Sequence, residues 1–261
     1  MPSAEAFQTP DISRSSAKRV DRSEVSLGIV CPMANEGEDA VKFTQAVLAQ
    51  CARFRAVTFF AVFDRANKDD SLDRMLAFAE AEPRLRVVWA PENRCLVDAY
   101  VRGYHEALAA GCGWILEIDA GFSHNPTDIP RFFETMEQGY DCVFGSRFMP
   151  GGAIVNSSKK RYWVSRGGTI LANALLGTCQ TDMTSGFQLF TRDALQMVVD
   201  LGIHSRAHFF QTEMKVHCRN LRFVEIPIVY QSASPRVGSA SINDALSHLW
   251  RLFKLRLQGK L

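Results

Sequence analysis

Several common signatures are missing from this chain of 261 residues. Its seven cysteines form no CxxC pair, which argues against a zinc site or a disulfide framework and favours a reducing, cytosolic compartment. No apolar run approaches the length that spans a bilayer, and the polar first residues do not resemble a signal peptide. The formal net charge is only +2, so nothing in it indicates nucleic acid as a partner. The absence of GxGxxG and of a P-loop lysine disfavours a Rossmann dehydrogenase or a P-loop kinase.

The chain does have the composition of a globular protein, with 47% hydrophobic and 22% charged residues. From Val25 onward, short apolar runs rich in β-branched and aromatic residues alternate with segments of helical periodicity. This order predicts an α/β fold with a mostly parallel sheet flanked by helices. The predicted strands cover residues 26–31, 57–63, 85–89, 114–118 and 142–144.

Polar or charged residues follow each of the first four predicted strands. In a parallel α/β sheet, ligands bind outside the carboxyl ends of the strands, so these positions are the candidates for a site. Loop composition alone produces such residues often, and the pattern by itself does not establish a function. The candidates are Pro32, Asn35, Glu36, Asp64, the segment 91–94 and Asp119.

Asp119 lies in the most informative segment, WILEIDAGFSHNP at 114–126, where it follows a buried strand. A carboxylate at that place costs desolvation energy unless a metal, a hydrogen-bond donor or a ligand compensates it. The structural alternative is that Asp119 ties down the turn before a helix capped by Asn125, with Pro126 at its first position. The segment alone leaves both interpretations open.

Six segments, in this order and spacing, resemble family 2 glycosyltransferases: CPMANEGEDA, EIDAGFSHNPTDIPRF, YDCVFGSRF, RYWVSRGG, TDMTSGFQLF and FFQTEM. The likeness runs from about Ser26 to Ser241 and is strongest to the branch of dolichol-phosphate mannose synthase and other polyprenyl-phosphate sugar transferases. It implies a GT-A fold over residues 25–242, with a nucleotide-sugar half at 25–125 and an acceptor half at 126–242. Residues 1–24 are then expected to be a flexible tail.

The resemblance also implies an activity, the inverting transfer of a sugar from a GDP- or UDP-linked donor, aided by Mg²⁺ or Mn²⁺. In the family, two aspartates two positions apart share the ion, but here the second position is Gly121. Asp119 remains, with Glu117, whose parity along the strand predicts the same side, and with Ser123 as further candidate ligands. Metal-independent transfer is the competing possibility. His124 is interpreted as a hydrogen-bonded loop histidine rather than a ligand.

Donor recognition is implied by the same resemblance for residues of two loops. Pro32, Asn35 and Glu36 form the Pro-x-x-Asn-Glu turn, and Asp64 after the second strand is the expected hydrogen-bond acceptor for the base. Arg236 stands in a late loop that lacks the family's lysine, so it would have to neutralise the diphosphate alone.

The acceptor is implied to be a polyprenyl phosphate at a membrane surface, bound by Arg147 in GSRF and Arg166 in SRGG. A guanidinium fork suits a phosphate because it binds two oxygens at once. The phosphate is largely ionised at neutral pH and needs no general base. A hydroxyl acceptor on a glycan or small metabolite would need one, and Asp182 and Glu213 are the acids in place to serve. A nucleotide-sugar-binding protein without turnover is the alternative from another class.

The C-terminal segment, residues 243–261, predicts a basic amphipathic helix. Such a helix can lie in an anionic membrane interface, giving a cytoplasmic protein a peripheral position on a membrane or a membrane-protein partner. The alternative is that its stripe packs on the domain core or on another subunit. The stripe consists of Leu246, Leu249, Trp250, Phe253 and Leu257, with Arg251, Lys254, Arg256 and Lys260 around it.

Overall fold

A computed structural model describes residues 19–156, 158–231 and 239–261. Its strands are β1 (Ser26–Pro32), β2 (Ala56–Phe63), β3 (Leu85–Trp89), β4 (Trp114–Glu117), β5 (Cys142–Ser146), β6 (Ala153–Val155), β7 (Gln188–Thr191), β8 (Phe223–Pro227) and β9 (Val229–Gln231). Its α-helices are α1 (Asp39–Ala49), α2 (Ser71–Ala81), α3 (Leu96–Ala109), α4 (Ile129–Met136), α5 (Lys159–Leu176), α6 (Arg192–Leu201), α7 (Phe210–His217) and α8 (Ser239–Leu257).

Seven strands form the main sheet, in the order β3-β2-β1-β4-β7-β5-β8, and β6 pairs with β9 in a small second sheet. Strands β1 to β4 are mutually parallel, β7 runs antiparallel between β4 and β5, and β8 is parallel to β5. The predicted mostly parallel α/β sheet is therefore confirmed. Because β5 runs in the same direction as β4, the carboxyl ends of β1 to β5 all lie at one edge of the sheet.

Both faces of the sheet are buried, which explains why its strands are apolar without alternation. Along β1, Ile29 belongs to the core cluster under α1, α2 and α4, and Val30 belongs to the cluster under α3, α6 and α7. Phe59 and Phe60 on β2 divide between the two clusters in the same way. The helices thus hold the sheet rigid and leave its carboxyl edge as the place where loops meet.

Helix α8 packs on α5 through a third apolar cluster. Leu249 and Leu252 are buried there against Ala172 and Leu176 of α5. The predicted apolar stripe is divided, because Leu246, Trp250 and Leu257 stay exposed while Leu249 is buried. Helix α8 therefore packs on the domain with one side and exposes apolar side chains on another. Of the helices within the described ranges, none is long and apolar enough to cross a bilayer.

The folded domain starts earlier than the sequence predicted. The backbone N–H of Val20 donates to the carbonyl of Glu137 at 3.0 Å, and the guanidinium of Arg22 pairs with the Glu137 carboxylate at 2.5 Å. Both paired side chains are almost fully buried against α4. The boundary predicted at residue 24 is therefore too late, since residues from Val20 onward pack on the domain. The rest of the predicted tail, residues 1–18, lies outside the described residues.

Candidate active site

A cavity of about 910 Å³ opens at the carboxyl edge of the sheet, which is a usual size for a small-molecule site. Its wall is formed by the loops after β1 to β5 together with residues of α3, α5, α7 and α8. The strand ends singled out in the sequence therefore do meet in one place. The candidate residues on the wall are Pro32, Glu36, Asp64, Asp119, Ser123 and Arg147.

Asp119 presents its carboxylate to this cavity, with its side chain 36% exposed. The hydroxyl of Tyr100 donates to Oδ1, while Nε2 of His124 lies 3.8 Å from Oδ2, beyond hydrogen-bond distance. The predicted cap is also confirmed, because the Asn125 side chain accepts the N–H of Thr127 at 3.1 Å. The turn is thus stabilised by Asn125, and Asp119 keeps one oxygen available to a ligand.

His124 is buried beneath the cavity, stacked on Phe187 with ring centroids 4.8 Å apart. Its Nδ1 accepts the backbone N–H of Asp119 at 3.1 Å, so the proton of the neutral ring lies on Nε2. Burial lowers the pKa of His124 and keeps the ring neutral. The hydrogen bond to Asp119 agrees with the interpretation of His124 as a hydrogen-bonded loop histidine.

Glu117 lies outside the cavity wall, with its side chain fully buried between the sheet and helices α3 and α7. The Tyr104 hydroxyl donates to Oε2 at 2.5 Å, and the side-chain amide of Gln211 donates to Oε1. Burial raises the pKa of Glu117 to about 8. Because its oxygens already accept hydrogen bonds from protein donors, the structure does not support Glu117 as a metal ligand.

Gly121 stands where the family carries its second aspartate, and the carboxylate of Glu36 lies directly over it. A Cβ built on Gly121 would come within 2.5 Å of Glu36 Oε2, and the backbone there has φ +70°. From the described residues, no hydrogen bond or ion pair reaches the Glu36 carboxylate. Burial, and then the nearby carboxylates of Asp69, Asp39 and Asp119, raise the pKa of Glu36.

Asn35 shapes the donor-side loops without reaching the cavity wall. Its backbone has φ 62°, which asparagine tolerates better than most residues. Its Nδ2 donates to the carbonyl of Ala66 at 2.9 Å, and its Oδ1 accepts the N–H of Lys68 at 2.7 Å. Asn35 thus joins the β1 loop to the β2 loop, which holds Asp64 on the wall, where Oδ1 of Asp64 accepts the N–H of Ala66.

Arg147, directly after β5, forms a two-point ion pair with Asp182. Its Nε lies 2.7 Å from Oδ2 and its Nη2 lies 2.8 Å from Oδ1, and Nη2 also donates to the Thr184 hydroxyl at 2.5 Å. The Asp182 side chain is fully buried, and the guanidinium holds its pKa well below the usual range despite that burial. Asp182 is therefore the counter-ion that orients Arg147, and the structure does not support it as a general base.

Lys215 is a buried cation that sequence reasoning missed. Its Nζ donates to the backbone carbonyl of Asp182 at 2.5 Å and lies 5.3 Å from the ring centroid of Phe144. Glu225 completes the group, because its carboxylate accepts the N–H of Thr181 at 2.7 Å and of Asp182 at 3.0 Å. No local signal pointed to the burial of Lys215, because four of the eight residues in the run FFQTEMKV are polar, yet the structure buries α7 from Phe210 to Val216.

Arg166 of α5 approaches Arg147 but does not line the cavity. Its Nη1 donates to the carbonyl of Thr181 at 2.9 Å. Its guanidinium carbon lies 5.4 Å from the ring centroid of Phe148, and that of Arg147 lies 5.3 Å from the same ring. The structure therefore brings together the two arginines that the resemblance paired, around one aromatic side chain.

Glu213 is fully buried and fastens α8 to the domain. Its Oε2 accepts the backbone N–H groups of His204 and Ser205, each at 3.0 Å, and Arg251 of α8 donates to Oε1. With its oxygens bound in this way and no place on the cavity wall, Glu213 is not supported as a general base. Arg236, the last of the predicted donor-binding residues, lies outside the described residues.

The outer part of the cavity is apolar. Four exposed side chains of α5 and α8 line it, and they are exposed by 42 to 54%. Trp163 and Trp250, exposed by 67% and 54%, lie beside them on the same two helices. The cavity thus has carboxylates at the strand ends, Arg147 on its wall and an apolar mouth. The four mouth residues are Val164, Leu171, Ile242 and Leu246.

Residues 28–198 match the family model described as Glycosyl transferase family 2. Undecaprenyl-phosphate mannosyltransferase of Micrococcus luteus is 32% identical over 195 residues, which cover 73% of this chain and 80% of that protein. Polyprenol monophosphomannose synthase of Mycolicibacterium smegmatis is 25% identical over 237 residues, covering 89% of this chain and 88% of that protein.

The fold is also found in solved structures of glucosyl-3-phosphoglycerate synthase from Mycobacterium tuberculosis. Its complex with uridine diphosphate aligns with a TM-score of 0.68 at 13% identity, covering 95% of this chain and 87% of that one. Its complex with Mg²⁺ and uridine diphosphate aligns with a TM-score of 0.62 at 15% identity, covering 91% and 81%. At such identities the likeness concerns the fold, which agrees with the GT-A architecture expected from the sequence.

Proposed function

The chain belongs to glycosyl transferase family 2, and from that premise we propose that it moves a sugar, with inversion, from a nucleotide sugar to a polyprenyl phosphate. The observation that carries the proposal is the combination of groups that line one cavity. The wall includes carboxylates at the strand ends, Arg147, and the exposed apolar side chains of the mouth on α5 and α8. An acceptor with an anionic head and an isoprenoid tail has complementary chemistry. The names of the two mannosyl-transferring relatives support the same acceptor class.

The donor half of the cavity suits a nucleoside diphosphate sugar. Asp64 on the wall offers a carboxylate to the base, and the Asn35 tie between two loops keeps that carboxylate in place. Asp119 with its available oxygen fits a divalent cation, which prefers carboxylate oxygens and keeps several waters. Such a cation, when bound, neutralises charge on the leaving diphosphate. A solved structure with the same fold is a complex with Mg²⁺ and uridine diphosphate, which supports a cation in this place.

The acceptor half needs no general base. Arg147, oriented by Asp182, presents a fixed positive charge at the cavity wall, where it would bind the acceptor phosphate and aim an ionised oxygen at the sugar. Transfer to a hydroxyl would instead require a base, but Asp182 and Glu213, the acids predicted for that task, are both held in buried ion pairs. This difference favours a phosphate acceptor over a hydroxyl.

The test is the release of nucleoside diphosphate from a panel of GDP- and UDP-sugars, with and without a short polyprenyl phosphate. We expect release to depend on the lipid. Arg147→Lys should raise the KM for the lipid about tenfold or more. An ammonium cannot reproduce the two-point pairing with Asp182 that fixes the positive charge at the cavity wall. Arg102→Lys is the matched control, since Arg102 pairs with Glu92 and Glu106 on the exposed side of α3. Release that is indifferent to lipid would contradict the proposal, and nucleotide-sugar binding without any release would favour a non-catalytic protein.

The apolar mouth is proposed to receive the isoprenoid chain and to rest on the membrane that holds it. Lys254, which lies over the Trp250 ring at 5.5 Å, adds positive charge to this surface. Replacing Trp163 and Trp250 together by alanine should lower binding to vesicles of phosphatidylcholine and phosphatidylglycerol by at least about tenfold, from the apolar area lost. Trp89→Ala removes a similarly exposed tryptophan at the end of β3 and should leave vesicle binding unchanged. Equal losses in both variants would argue against this surface.

A further inference from the structure

The space above Gly121 is the starting point, because a side chain there and the present position of Glu36 exclude each other. The Cβ of any residue at 121 would lie 2.5 Å from Glu36 Oε2, which is well inside van der Waals contact. The φ of +70° at Gly121 also disfavours an ordinary side chain. The carboxylate of Glu36 therefore fills the region into which an aspartate at 121 would project.

The carboxylates of Glu36 and Asp119 share one cavity wall. The charge of Asp119 is among the causes that raise the pKa of Glu36, after burial and the carboxylates of Asp69 and Asp39. Within the described ranges, neither forms an ion pair with lysine or arginine. Half-buried like charges are costly unless a cation joins them. Oxygen donors from two carboxylates, with waters completing the shell, are the set that Mg²⁺ and Mn²⁺ use in proteins.

We propose that Glu36 supplies the second carboxylate of the divalent cation site, in place of the aspartate that Gly121 has displaced. The inference rests on the proposed function for the identity of the ion. One carboxylate ligand would then come from the loop after β1 instead of the loop after β4, and Asp119 would remain the other. It also gives Glu36 a task distinct from donor-base recognition, for which the resemblance had grouped it with Pro32 and Asn35.

The first test measures Mn²⁺ binding to the protein alone, from the loss of the electron paramagnetic resonance signal of the free ion. We expect Glu36→Gln and Asp119→Asn each to weaken Mn²⁺ binding by at least about tenfold, the lower end of what the loss of even an outer-shell partner costs at a metal site. Glu38→Gln is the matched control, since Glu38 lies two positions after Glu36, is exposed and pairs with Lys42 of α1. Wild-type affinity in Glu36→Gln would overturn the inference.

The second test moves the carboxylate. In Gly121→Asp alone the end of the Glu36 side chain must turn aside, so we expect the new carboxylate to replace that of Glu36 and Mn²⁺ binding to stay near the wild-type value. Combined with Glu36→Ala, which removes that obstacle, Gly121→Asp should recover part of the binding that Glu36→Ala loses. A thermal melt of each variant separates loss of binding from loss of folding. A double variant that is folded but binds no better than Glu36→Ala would count against a site at this position.

Failure of this inference is distinguishable from failure of the proposed function. Lipid-dependent release of nucleoside diphosphate at the same rate in chelator, from a protein that binds no Mn²⁺, would overturn the metal site and leave the transfer reaction standing. Mn²⁺ binding that requires Glu36, in a protein that never transfers to the lipid, would do the reverse.

Discussion

Two pairs of carboxylates differ in how the protein compensates their charge. Asp182 and Glu225, which we call the acceptor-side pair, are surrounded by Arg147, Lys215 and backbone N–H donors. Glu36 and Asp119, the donor-side pair, have one tyrosine hydroxyl and no cation of their own within the described residues. The acceptor-side pair is more deeply buried, yet the donor-side pair has fewer hydrogen-bond donors and positive charges around it.

This difference separates structural acids from acids available to a ligand. A buried carboxylate with a full set of donors and a counter-ion is already at low energy, and a ligand has nothing to add to it. Two carboxylates that lie close together without a positive partner repel each other, and a bound cation lowers their free energy. Mutation should therefore affect folding at the acceptor-side pair and ligand binding at the donor-side pair.

Asp182→Asn should have the largest effect on stability. It leaves the buried Arg147 without its counter-charge, which typically costs about 3 to 5 kcal/mol. Urea denaturation followed by circular dichroism measures the change in the free energy of unfolding. A loss of stability below about 1 kcal/mol, the range of an ordinary substitution, would show that Asp182 is not a structural acid.

The same contribution should depend on pH. The pKa of Asp182 is depressed in the folded protein, so its stabilisation is fully present above its unfolded value of about 3.9 and is lost as pH falls through the folded value. The difference in unfolding free energy between wild type and Asp182→Asn should thus be constant from about pH 5 upward and shrink below about pH 4. A difference that grows toward acid pH would contradict the assigned role.

Glu213→Gln should have a smaller effect, about 1 to 3 kcal/mol, because Arg251 is partly exposed and water can compensate it. The substitution removes the negative charge that pairs with Arg251 of α8. Relative to wild type, we therefore expect hydrogen exchange to become faster in α8 and to stay unchanged in α3. Retained activity in the folded variant would agree with an anchoring role, whereas a specific loss of kcat without loss of stability would restore Glu213 as a base.

Glu36→Gln should change stability least, by no more than about 0.5 kcal/mol and in either direction, since it removes repulsion among carboxylates and no hydrogen bond. The measurement is the same urea titration, in chelator. Added Mn²⁺ should stabilise wild type and not this variant, because only the form that binds the ion is favoured. A large loss of stability in chelator would show that Glu36 is structural.

Much of the fold was readable from local patterns. The five predicted strands and the cap at Asn125 follow from apolar runs and turn chemistry, which depend on neighbouring residues. The positions of Pro32, Asp64 and Asp119 at one edge follow from parallel topology. The antiparallel β7 and the burial of Lys215 had no comparable local signal, because each depends on which distant segments become neighbours.

The sequence by itself determined the family, the α/β sheet, the strand ends that form the cavity and the loss of an aspartate at Gly121, since motif order and periodicity are written along the chain. Only the tertiary structure decided what each acid does. Glu117, Asp182 and Glu213 became buried acceptors, and Glu36 came to lie over Gly121. The physical reason is that the role of a carboxylate depends on the donors and charges around it, and those come from distant segments, as far as 94 residues along the chain for Glu117.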